Sequence, residues 1–285
     1  MTMSAGVEAA TDAGVSAQAP DGEADLERRF GGLRRLWGEF AYQRMRAARV
    51  AVVGLGGVGS WAVEALARSG VAELVLVDLD HVAESNINRQ VQALGSTLGM
   101  AKAQALRARV ADIHPGCRVH AVEEFASSDN WPALLPVAVD AVIDACDQSH
   151  AKLALARWAL VTGVAYVCCG AAGGKREAQR VEVTDLGEAT HDPLLASLRQ
   201  RLRKALATSG PRSASASARR LDVRCVFSRE AVAAPPDATC APDGGLNCHG
   251  YGSTVTVTAT FGLVAAGEVM RQLALRATGA SQGSC

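Results

Sequence analysis

Four mostly apolar runs occur along the chain, of which the third also contains Asp140 and Asp144, and segments with helical spacing of apolar residues separate them. The runs cover residues 50–53, 74–77, 139–145 and 165–169. Runs of this kind are typical of strands that are buried on both faces of a parallel sheet. Weaker strand patterns follow at residues 118–122, 180–184 and around residue 225. The pattern predicts an α/β, Rossmann-like fold, with a mostly parallel sheet and helices on both faces.

The C-terminal segment 255–269 is apolar with interspersed threonines. It extends for about 15 residues before Glu268 interrupts it, whereas a helix needs about 20 apolar residues to cross a bilayer. We therefore expect a buried helix or an interface helix here, and no membrane span.

The length of 285 residues suits one large α/β domain. Residues 1–25 are rich in Ala, Gly and Ser and lack the features of a signal peptide, so we expect a disordered tail. Residues 26–275 are expected to form a single domain, with a nucleotide half at about 26–170 and a substrate and dimerisation half at about 171–275. Residues 276–285 are expected to be frayed.

The amino-acid composition limits the classes of function that the chain could have. Hydrophobic residues make up 49% of the chain, which is enough for a substantial core. The formal net charge is zero, so contact with a nucleic acid would need a local basic patch, and 4% aromatic residues argue against a base-stacking platform. The eight cysteines are scattered, which favours reduced thiols in a cytoplasmic protein.

A glycine-rich turn follows the first apolar run, and its glycines are Gly54, Gly56, Gly57 and Gly59. A helical pattern comes next, and a second apolar run ends at Asp78, 19 residues after Gly59. Glycines at a helix N-terminus let a phosphate approach backbone N–H groups, and an acid at the next strand end can bind ribose hydroxyls. A nucleotide site is therefore favoured over a turn without a ligand, but the glycines leave the nucleotide open.

Positive charge in the next segment narrows the choice of nucleotide. The motif SNINRQ contains Asn86, Arg89 and Gln90, and Lys102 follows Arg89 after 13 residues. A dehydrogenase has no need for these cations beside its phosphates. An enzyme that cleaves a triphosphate does need them, because charge builds up on the leaving pyrophosphate. The spacing indicates an ATP site, with surface solvation as the alternative for Arg89 alone.

Several motifs together resemble the adenylating domain of ubiquitin-activating-type (ThiF/MoeB-like) enzymes: GLGGVG, DLD, SNINRQ, GMAKA and DACD. A narrower set is similar to the family of tRNA threonylcarbamoyladenosine dehydratases: RFGGLRRLWGE, GGVGSWAVEALARSG, VTDL, DPLLASLRQRL, RCVFSRE and TVTVTATFGLVA. The resemblance extends from about residue 28 to residue 272. It implies a ThiF-type adenylating domain that activates a carboxylate with ATP.

The resemblance also implies substrates and partners. The carboxylate would be that of the threonylcarbamoyl group on the adenosine beside a tRNA anticodon, and ring closure would release AMP and pyrophosphate. Asp147, in the motif DACD, would hold the Mg²⁺ that bridges the ATP phosphates, unless it only caps the helix that starts near residue 149. Asp144 is expected to be structural. A homodimer and a cysteine-desulfurase sulfur-acceptor partner are further implications.

Basic residues concentrate between residues 195 and 224, where seven Arg and one Lys face a single acid. Such a segment fits contacts to an RNA backbone, but a solvated basic face is an equal alternative on composition alone. The resemblance favours tRNA contact, for which the candidates are Arg199, Arg201, Arg203, Lys204, Arg219 and Arg220.

Two features of related adenylating enzymes have no clear counterpart in this chain. In the related pattern an arginine finger follows an aromatic residue near the N-terminus, but here Phe30 is followed by two glycines. Arg29, Arg34 and Arg35 lie nearby, and the sequence assigns the role to none of them. The related zinc site has two Cys-x-x-Cys pairs, whereas seven residues separate Cys240 from Cys248, so no zinc is expected.

Two further elements stay open on the sequence. Cys225 could be a nucleophile, but its apolar neighbours indicate a short buried strand instead. The turn at residues 170–175, GAAGGK, could border the reacting group of the substrate or could be only a tight crossover.

Three alternative functions remain. The first is adenylation of the C-terminal glycine of a small sulfur-carrier protein. The second is an NAD-dependent oxidoreductase, suggested by the glycine turn and Asp78. The third, a non-catalytic nucleotide-binding scaffold, would leave Arg89, Lys102 and Asp147 without a role.

Overall fold

A single seven-stranded sheet forms the centre of the protein in the computed structural model, which describes residues 24–207, 220–233 and 251–275. The strands are β1 (Arg49–Val53), β2 (Glu73–Val77), β3 (Arg118–Val122), β4 (Ala141–Asp144), β5 (Ala165–Cys169), β6 (Val181–Asp185) and β7 (Arg224–Ser228). Their order is β3-β2-β1-β4-β5-β7-β6. Every neighbouring pair is parallel except β6 and β7.

Helices cover both faces of the sheet. They are α1 (Leu26–Trp37), α2 (Glu39–Ala47), α3 (Gly59–Arg68), α4 (Lys102–Ile113), α5 (Ser149–Thr162), α6 (Pro193–Ala207) and α7 (Val255–Leu275). One apolar core joins α3, α4 and α7 to the sheet, and a second core joins α5 and α6 to the opposite face. The predicted Rossmann-like α/β fold is confirmed.

Strand β1 illustrates why the apolar runs form central strands. Val50 and Val52 point into the first core, whereas Ala51 and Val53 point into the second. Successive side chains of a strand point to opposite faces, so a strand between two helical layers needs apolar residues at every position. All four residues 50–53 are apolar because both faces of β1 are buried.

Helix α7 is the apolar C-terminal segment, and it packs along α3. A Cβ atom at Gly262 would collide with the backbone of α3 at Val58 and would lie 2.8 Å from Cβ of Trp61. The absence of a side chain therefore permits the close approach of the two helices. Within the described residues, no helix is both long enough and apolar enough to span a membrane.

The two predicted halves of the domain contribute to one sheet. Strands β1 to β5 come from the predicted nucleotide half, and β6 and β7 come from the predicted substrate half. Strand β5 is hydrogen-bonded to β4 on one side and to β7 on the other. The predicted tails fall almost entirely on residues 1–23 and 276–285, which lie outside the described residues.

Candidate functional site

A cavity of about 410 Å³ opens at the carboxyl ends of the parallel strands. It lies between β1 and β4. Strands β2 and β3 are added on one side of β1, and β4 and the later strands are added on its other side. This switch point is where open α/β sheets bind their ligands. The residues predicted from the sequence that line this cavity are Gly54, Gly56, Gly57, Asp78, Asn86, Arg89, Gln90, Lys102 and Asp147.

The glycine turn has two kinds of glycine. Gly54 has a φ of +85°, and a Cβ atom there would lie 2.8 Å from the backbone of Ala145. A Cβ atom at Gly59 would collide with the carbonyl of Gly54. These two glycines permit backbone packing. Gly56, in contrast, has open space around it and lines the cavity, so a side chain there would take up ligand space.

Asp78 braces the glycine turn from the end of β2. Its carboxylate accepts hydrogen bonds from the backbone N–H of Leu55 at 2.6 Å and from that of Asp80 at 2.8 Å. Burial raises the pKa of this carboxyl group, although the charge of Lys102 opposes the shift. Asp78 therefore fixes the local backbone and also presents its carboxyl group to the cavity, where a ribose could bind.

Two cations, Lys102 and Arg89, line the cavity. Lys102 begins α4, and its ammonium nitrogen lies 2.7 Å from a carboxylate oxygen of Asp80. Arg89 donates from Nη1 to the carbonyl of Ser85 at 2.7 Å and to Oδ1 of Asn88 at 2.9 Å. Both cations are thus held beside the glycine turn by short contacts, and both can stabilise phosphate charge.

Asn86 and Gln90 shape the loop that carries Arg89. Oδ1 of Asn86 accepts from the backbone N–H of Ala83 at 3.1 Å, and Oε1 of Gln90 accepts from Nε2 of Gln92 at 3.1 Å. Both side chains are buried and line the cavity.

Asp147 is exposed in the turn after β4 and lines the cavity. In the described part of the chain its carboxylate forms no hydrogen bond and no ion pair. The N-cap of α5 is Gln148, and no side chain caps the helix, so the structure does not support the capping alternative for Asp147.

The donor set at Asp147 fits Mg²⁺ bound together with a nucleotide. Residues 24–207, 220–233 and 251–275 contain no group of three His, Cys, Asp or Glu side chains arranged for a metal ion. Mg²⁺ is commonly held by one or two carboxylates together with substrate phosphates and water. One free carboxylate oriented to a phosphate cavity is sufficient for that mode of binding.

The far wall of the cavity is the turn at residues 170–173. Asp192 holds this wall, because its Oδ2 accepts from the N–H of Ala171 at 2.8 Å and its Oδ1 accepts from the N–H of Leu195 at 2.9 Å. The turn therefore borders the candidate site, which favours the first of its two sequence-based interpretations.

Buried Lys175 anchors the end of this turn. Its ammonium group donates to the carbonyls of Glu230 at 2.8 Å, Ser228 at 3.1 Å and His191 at 3.3 Å. Burial lowers the pKa of Lys175, against the opposing charge of Asp192. The turn is thereby tied to the end of β7 and to the start of α6.

Several lining residues were not among the site residues predicted from the sequence: Asp80, His81, Glu124, Phe125, Leu194 and Thr258. Phe125 could have been found, because it follows β3 and the carboxyl ends of all parallel strands lie at one edge of the sheet. Thr258 could not, because only the packing of α7 against the glycine turn brings it to the cavity.

Cys225 is fully buried in β7 and does not line the cavity. Its thiol donates to the carbonyl of Val223 at 3.7 Å. Burial and the neighbouring Cys168 raise its pKa well above that of a free thiol, so a thiolate nucleophile is disfavoured. Cys240 and Cys248 lie outside the described residues.

The basic candidates of α6 fall into two groups. Arg199 is half-buried and donates to the carbonyl of Ala189 at 2.6 Å, which ties α6 to the preceding loop. Arg201, Arg203 and Lys204 are exposed, and Arg201 also contacts His150 at 3.1 Å.

At the other end of the basic segment, Arg220 is exposed and pairs with Asp222 at 3.2 Å. Arg219 lies outside the described residues. The exposed members of the basic segment in the described part of the chain are therefore Arg201, Arg203, Lys204 and Arg220.

The N-terminal arginines also differ in their contacts. Arg29 donates to the carbonyl of Ile113 at 2.7 Å, at the C-terminal end of α4. Arg34 forms ion pairs with Glu27 at 2.8 Å and with Glu39 at 2.7 Å. Arg35 is exposed. Arg29 and Arg34 therefore stabilise the α1–α2 region.

Comparisons with known proteins identify the family of the chain. The model of the ThiF family matches residues 31–283. The chain is 39% identical over 259 residues to the tRNA threonylcarbamoyladenosine dehydratase of Escherichia coli, which covers 88% of this chain and 95% of that enzyme. It is 37% identical over 252 residues to the enzyme of the same name from Haemophilus influenzae, covering 87% and 94% of the two chains.

Solved structures of the Escherichia coli enzyme in complex with ATP and in complex with AMP superpose with a TM-score of 0.77, and each match covers 88% of this chain and 96% of that one. The sequence identities in these two matches are 38% and 39%. The family match and the similarity over nearly the whole length of both relatives show that the chain belongs to the ThiF family, within its group of tRNA threonylcarbamoyladenosine dehydratases.

Proposed function

We propose that this protein catalyses the ATP-dependent dehydration of threonylcarbamoyladenosine in tRNA, beside the anticodon. The observation that carries the proposal is one cavity, at the switch point of the sheet, that combines the glycine turn, two cations and a free carboxylate. The two relatives named above support the choice of substrate, because the match with this chain covers nearly the whole length of each of them.

The reaction takes place in two steps. A carboxylate oxygen of the threonylcarbamoyl group attacks the α-phosphorus of ATP, and the bond from that phosphorus to the bridging oxygen breaks to release pyrophosphate. The carbamoyl group then attacks the activated carbonyl carbon and gives up a proton to solvent, and AMP leaves with the former carboxylate oxygen. The net change in the nucleoside is the loss of one water molecule. The substrate supplies its own nucleophile, so no enzyme thiol is needed, in agreement with the burial of Cys225.

The chain contributes binding, orientation and charge stabilisation. The glycine turn would approach the phosphates, and Asp78 would accept hydrogen bonds from the ribose. Lys102 and Arg89 would stabilise the charge that builds on pyrophosphate as the bond breaks. These roles are supported by the position of all four features around one cavity.

Asp147 would hold Mg²⁺ together with the phosphates. When bound, the ion neutralises phosphate charge and favours departure of pyrophosphate. Asp147 is suited to this role because its carboxylate is exposed to the cavity and has no partner in the described part of the chain.

The tRNA would contact the exposed basic residues of α6, chiefly Arg201, Arg203 and Lys204. A local patch is required because the chain as a whole has no net charge. Arg199 would act indirectly, by holding α6 in place through the carbonyl of Ala189.

The functional form would be a homodimer in the cytoplasm. Support for self-association comes from exposed large apolar side chains concentrated in residues 79–100, which follow β2: Leu79, Ile87, Leu94, Leu98 and Met100. Association would remove this apolar surface from water. Light scattering gives the mass in solution, from which the number of subunits follows.

The cysteine-desulfurase sulfur-acceptor partner that the resemblance implies stays a prediction.

The test is AMP release from ATP and Mg²⁺ in the presence of tRNA that carries threonylcarbamoyladenosine. The matched control is the same tRNA without the threonylcarbamoyl group. We expect AMP only with the modified tRNA, and a nucleoside that becomes lighter by the mass of one water.

Other results would overturn the proposal in distinguishable ways. AMP formation that needs no tRNA but does need a small carrier protein would favour adenylation of that protein's C-terminal glycine. A substrate-dependent change in nicotinamide absorbance without AMP would favour an oxidoreductase.

A further inference from the structure

Two turns that border the cavity leave neighbouring strands at the same edge of the sheet. The first, residues 145–148, follows β4 and carries Asp147, and the second is the far wall at residues 170–173. Strands β4 and β5 are parallel, with Asp144 opposite Cys168 at the end of the ladder. Beyond this pair β4 and β5 are no longer paired: the first turn is hydrogen-bonded to β1 through Ala145, and the second to β7 through Gly170.

Lys152 connects the ends of β4 and β5. It lies near the start of α5, and its side chain has 0% exposure. Its ammonium group donates to Oδ1 of Asp144 at 2.9 Å, to the carbonyl of Asp144 at 3.3 Å and to the carbonyl of Cys169 at 2.8 Å. The sulfur of Cys168 lies 3.6 Å from the same nitrogen. All of these partners belong to the ends of β4 and β5.

Asp144 in turn connects Lys152 to the first turn. Its Oδ1 also accepts from the backbone N–H of Cys146 at 3.2 Å, and its Oδ2 accepts from the hydroxyl of Tyr166 at 2.6 Å. Burial opposes the charged form of Lys152, but the charge of Asp144 and the neighbouring cysteines together raise the pKa of Lys152 well above the usual value. Lys152 and Asp144 thus form a buried ion pair whose polar atoms also have partners at the ends of β4 and β5.

Stability alone does not account for this pair. Two charges with no exposure lose their hydration, and well-packed apolar residues of similar volume often stabilise a core as well or better. An apolar residue, however, cannot hold two carbonyl groups and a carboxylate at fixed distances. The arrangement is suited to geometric precision at the strand ends.

We propose that Lys152 is a positioning residue for the adenylation step, because it fixes the spacing between the turn that carries Asp147 and the far wall of the cavity. Lys152 does not line the cavity, so it acts through these two turns and does not touch the substrate. The inference rests on the proposed function for its kinetic test, but its structural test does not.

Two variants separate positioning from charge burial. Lys152→Met keeps most of the side-chain volume and removes the ammonium group. The double variant Asp144→Asn with Lys152→Met removes both charges, so that no uncompensated charge stays buried. The matched control is Glu268→Gln, which removes a buried charge that pairs with Arg224 at 3.0 Å, away from the cavity.

The kinetic readout is kcat and the KM for ATP, measured by AMP release with modified tRNA. Both variants are expected to lose roughly 100-fold in kcat, because small displacements of reacting groups have effects of this size. The KM for ATP should change by a smaller factor than kcat, since the glycine turn and Lys102 adjoin β1 and β2 and not β5. Glu268→Gln, compared at a similar loss of Tm, should keep its kcat.

The structural readout is amide hydrogen exchange without substrates. Exchange in residues 145–148 and 170–173 should accelerate about tenfold or more in both variants, while residues 54–59 stay unchanged. Unchanged exchange in the two turns, or a kcat equal to that of the Glu268→Gln control, would overturn the proposal. A wild-type protein that forms no AMP with modified tRNA would refute the proposed function alone.

Discussion

The ammonium nitrogen of Lys102 lies 2.7 Å from a carboxylate oxygen of Asp80, at the edge of the nucleotide cavity. The two partners differ in exposure, because the side chain of Lys102 is 8% exposed and that of Asp80 is 53% exposed. A lysine with so little access to water is held in one orientation. It faces the cavity before any phosphate arrives, which lowers the cost of ordering it on binding.

Lys102→Ala should therefore abolish AMP formation while the fold stays intact. Loss of one charge-stabilising donor commonly lowers a rate by about 100-fold to 1,000-fold. The measurement is single-turnover AMP release, with circular dichroism as the control for folding. Turnover close to that of the wild type would remove Lys102 from the mechanism.

Asp147→Asn should lower kcat by about 100-fold and increase the Mg²⁺ concentration needed for half-maximal rate, because an amide is a weaker Mg²⁺ ligand than a carboxylate. The rate should be measured over a series of Mg²⁺ concentrations. Asp112→Asn, an exposed position on α4 that does not line the cavity, serves as the matched control. An unaltered Mg²⁺ dependence in Asp147→Asn would contradict the assignment.

Phe125 is expected to contact the adenine ring, because its side chain is 46% exposed and lines the cavity next to the end of β3. Phe125→Ala should raise the KM for ATP by up to about tenfold with little change in kcat, since an aromatic contact contributes about 0.5–1.5 kcal/mol. Phe125→Leu keeps an apolar contact without a ring face, so its KM for ATP should lie between those of the wild type and Phe125→Ala. A fall in kcat at constant KM would argue against an adenine contact.

Charge reversal at Arg201 and Lys204 should weaken tRNA binding and lower its dependence on salt. Each lost phosphate contact should reduce the slope of log K against log salt by roughly 1. Binding should be measured at several salt concentrations for the variant Arg201→Glu with Lys204→Glu. Arg107→Glu, exposed on α4, is the control, and equal loss in both proteins would indicate a general charge effect.

His114 should make the protein less stable as the pH falls below about 6.5. Burial and the charges of Arg46 and Arg29 lower its pKa from the ordinary value of 6.5, and the carbonyl of Gly70, as an acceptor, opposes this shift only in part. The unfolded chain then binds a proton that the folded protein does not, so this stability is present above pH 6.5 and is lost as the pH falls.

The measurement for this prediction is the free energy of urea unfolding between pH 7.5 and pH 5.5. The free energy of unfolding of His114→Gln should decrease less between pH 7.5 and pH 5.5 than that of the wild type. His150→Gln, at an exposed position on α5, should leave the slope unchanged. A wild-type slope that does not respond to His114→Gln would show that other groups carry it.

Sequence patterns were sufficient for the part of the site that is local in the chain. The glycine turn, Asp78, Arg89 and Lys102 all lie within one strand-helix-strand unit and the segment after it, where strand ends and turn residues have fixed positions. The central strands β1, β2, β4 and β5 were predictable for a related reason, since burial on two faces favours apolar residues along the whole strand.

The residues that the sequence could not identify depend on contacts between distant segments. Lys152 has the sequence context of an ordinary helix lysine, and only the packing of α5 under β4 and β5 buries its ammonium group. Asp192 and Lys175 hold the far wall through partners that are 16 to 55 positions away in the chain. Periodicity and spacing contain no information about such partners.

The position of β5 between β4 and β7 has a consequence for attempts to divide the protein. A fragment that ended after Cys169 would keep the glycine turn, Lys102 and Asp147, but it would lack β7. Its β5 would then be an edge strand of five buried, mostly apolar residues with unpaired backbone groups. Such an edge favours aggregation through strand pairing between molecules. The nucleotide half is thus a poor candidate for expression alone, because in the whole protein β7 pairs with the exposed edge of β5 and protects it from other molecules.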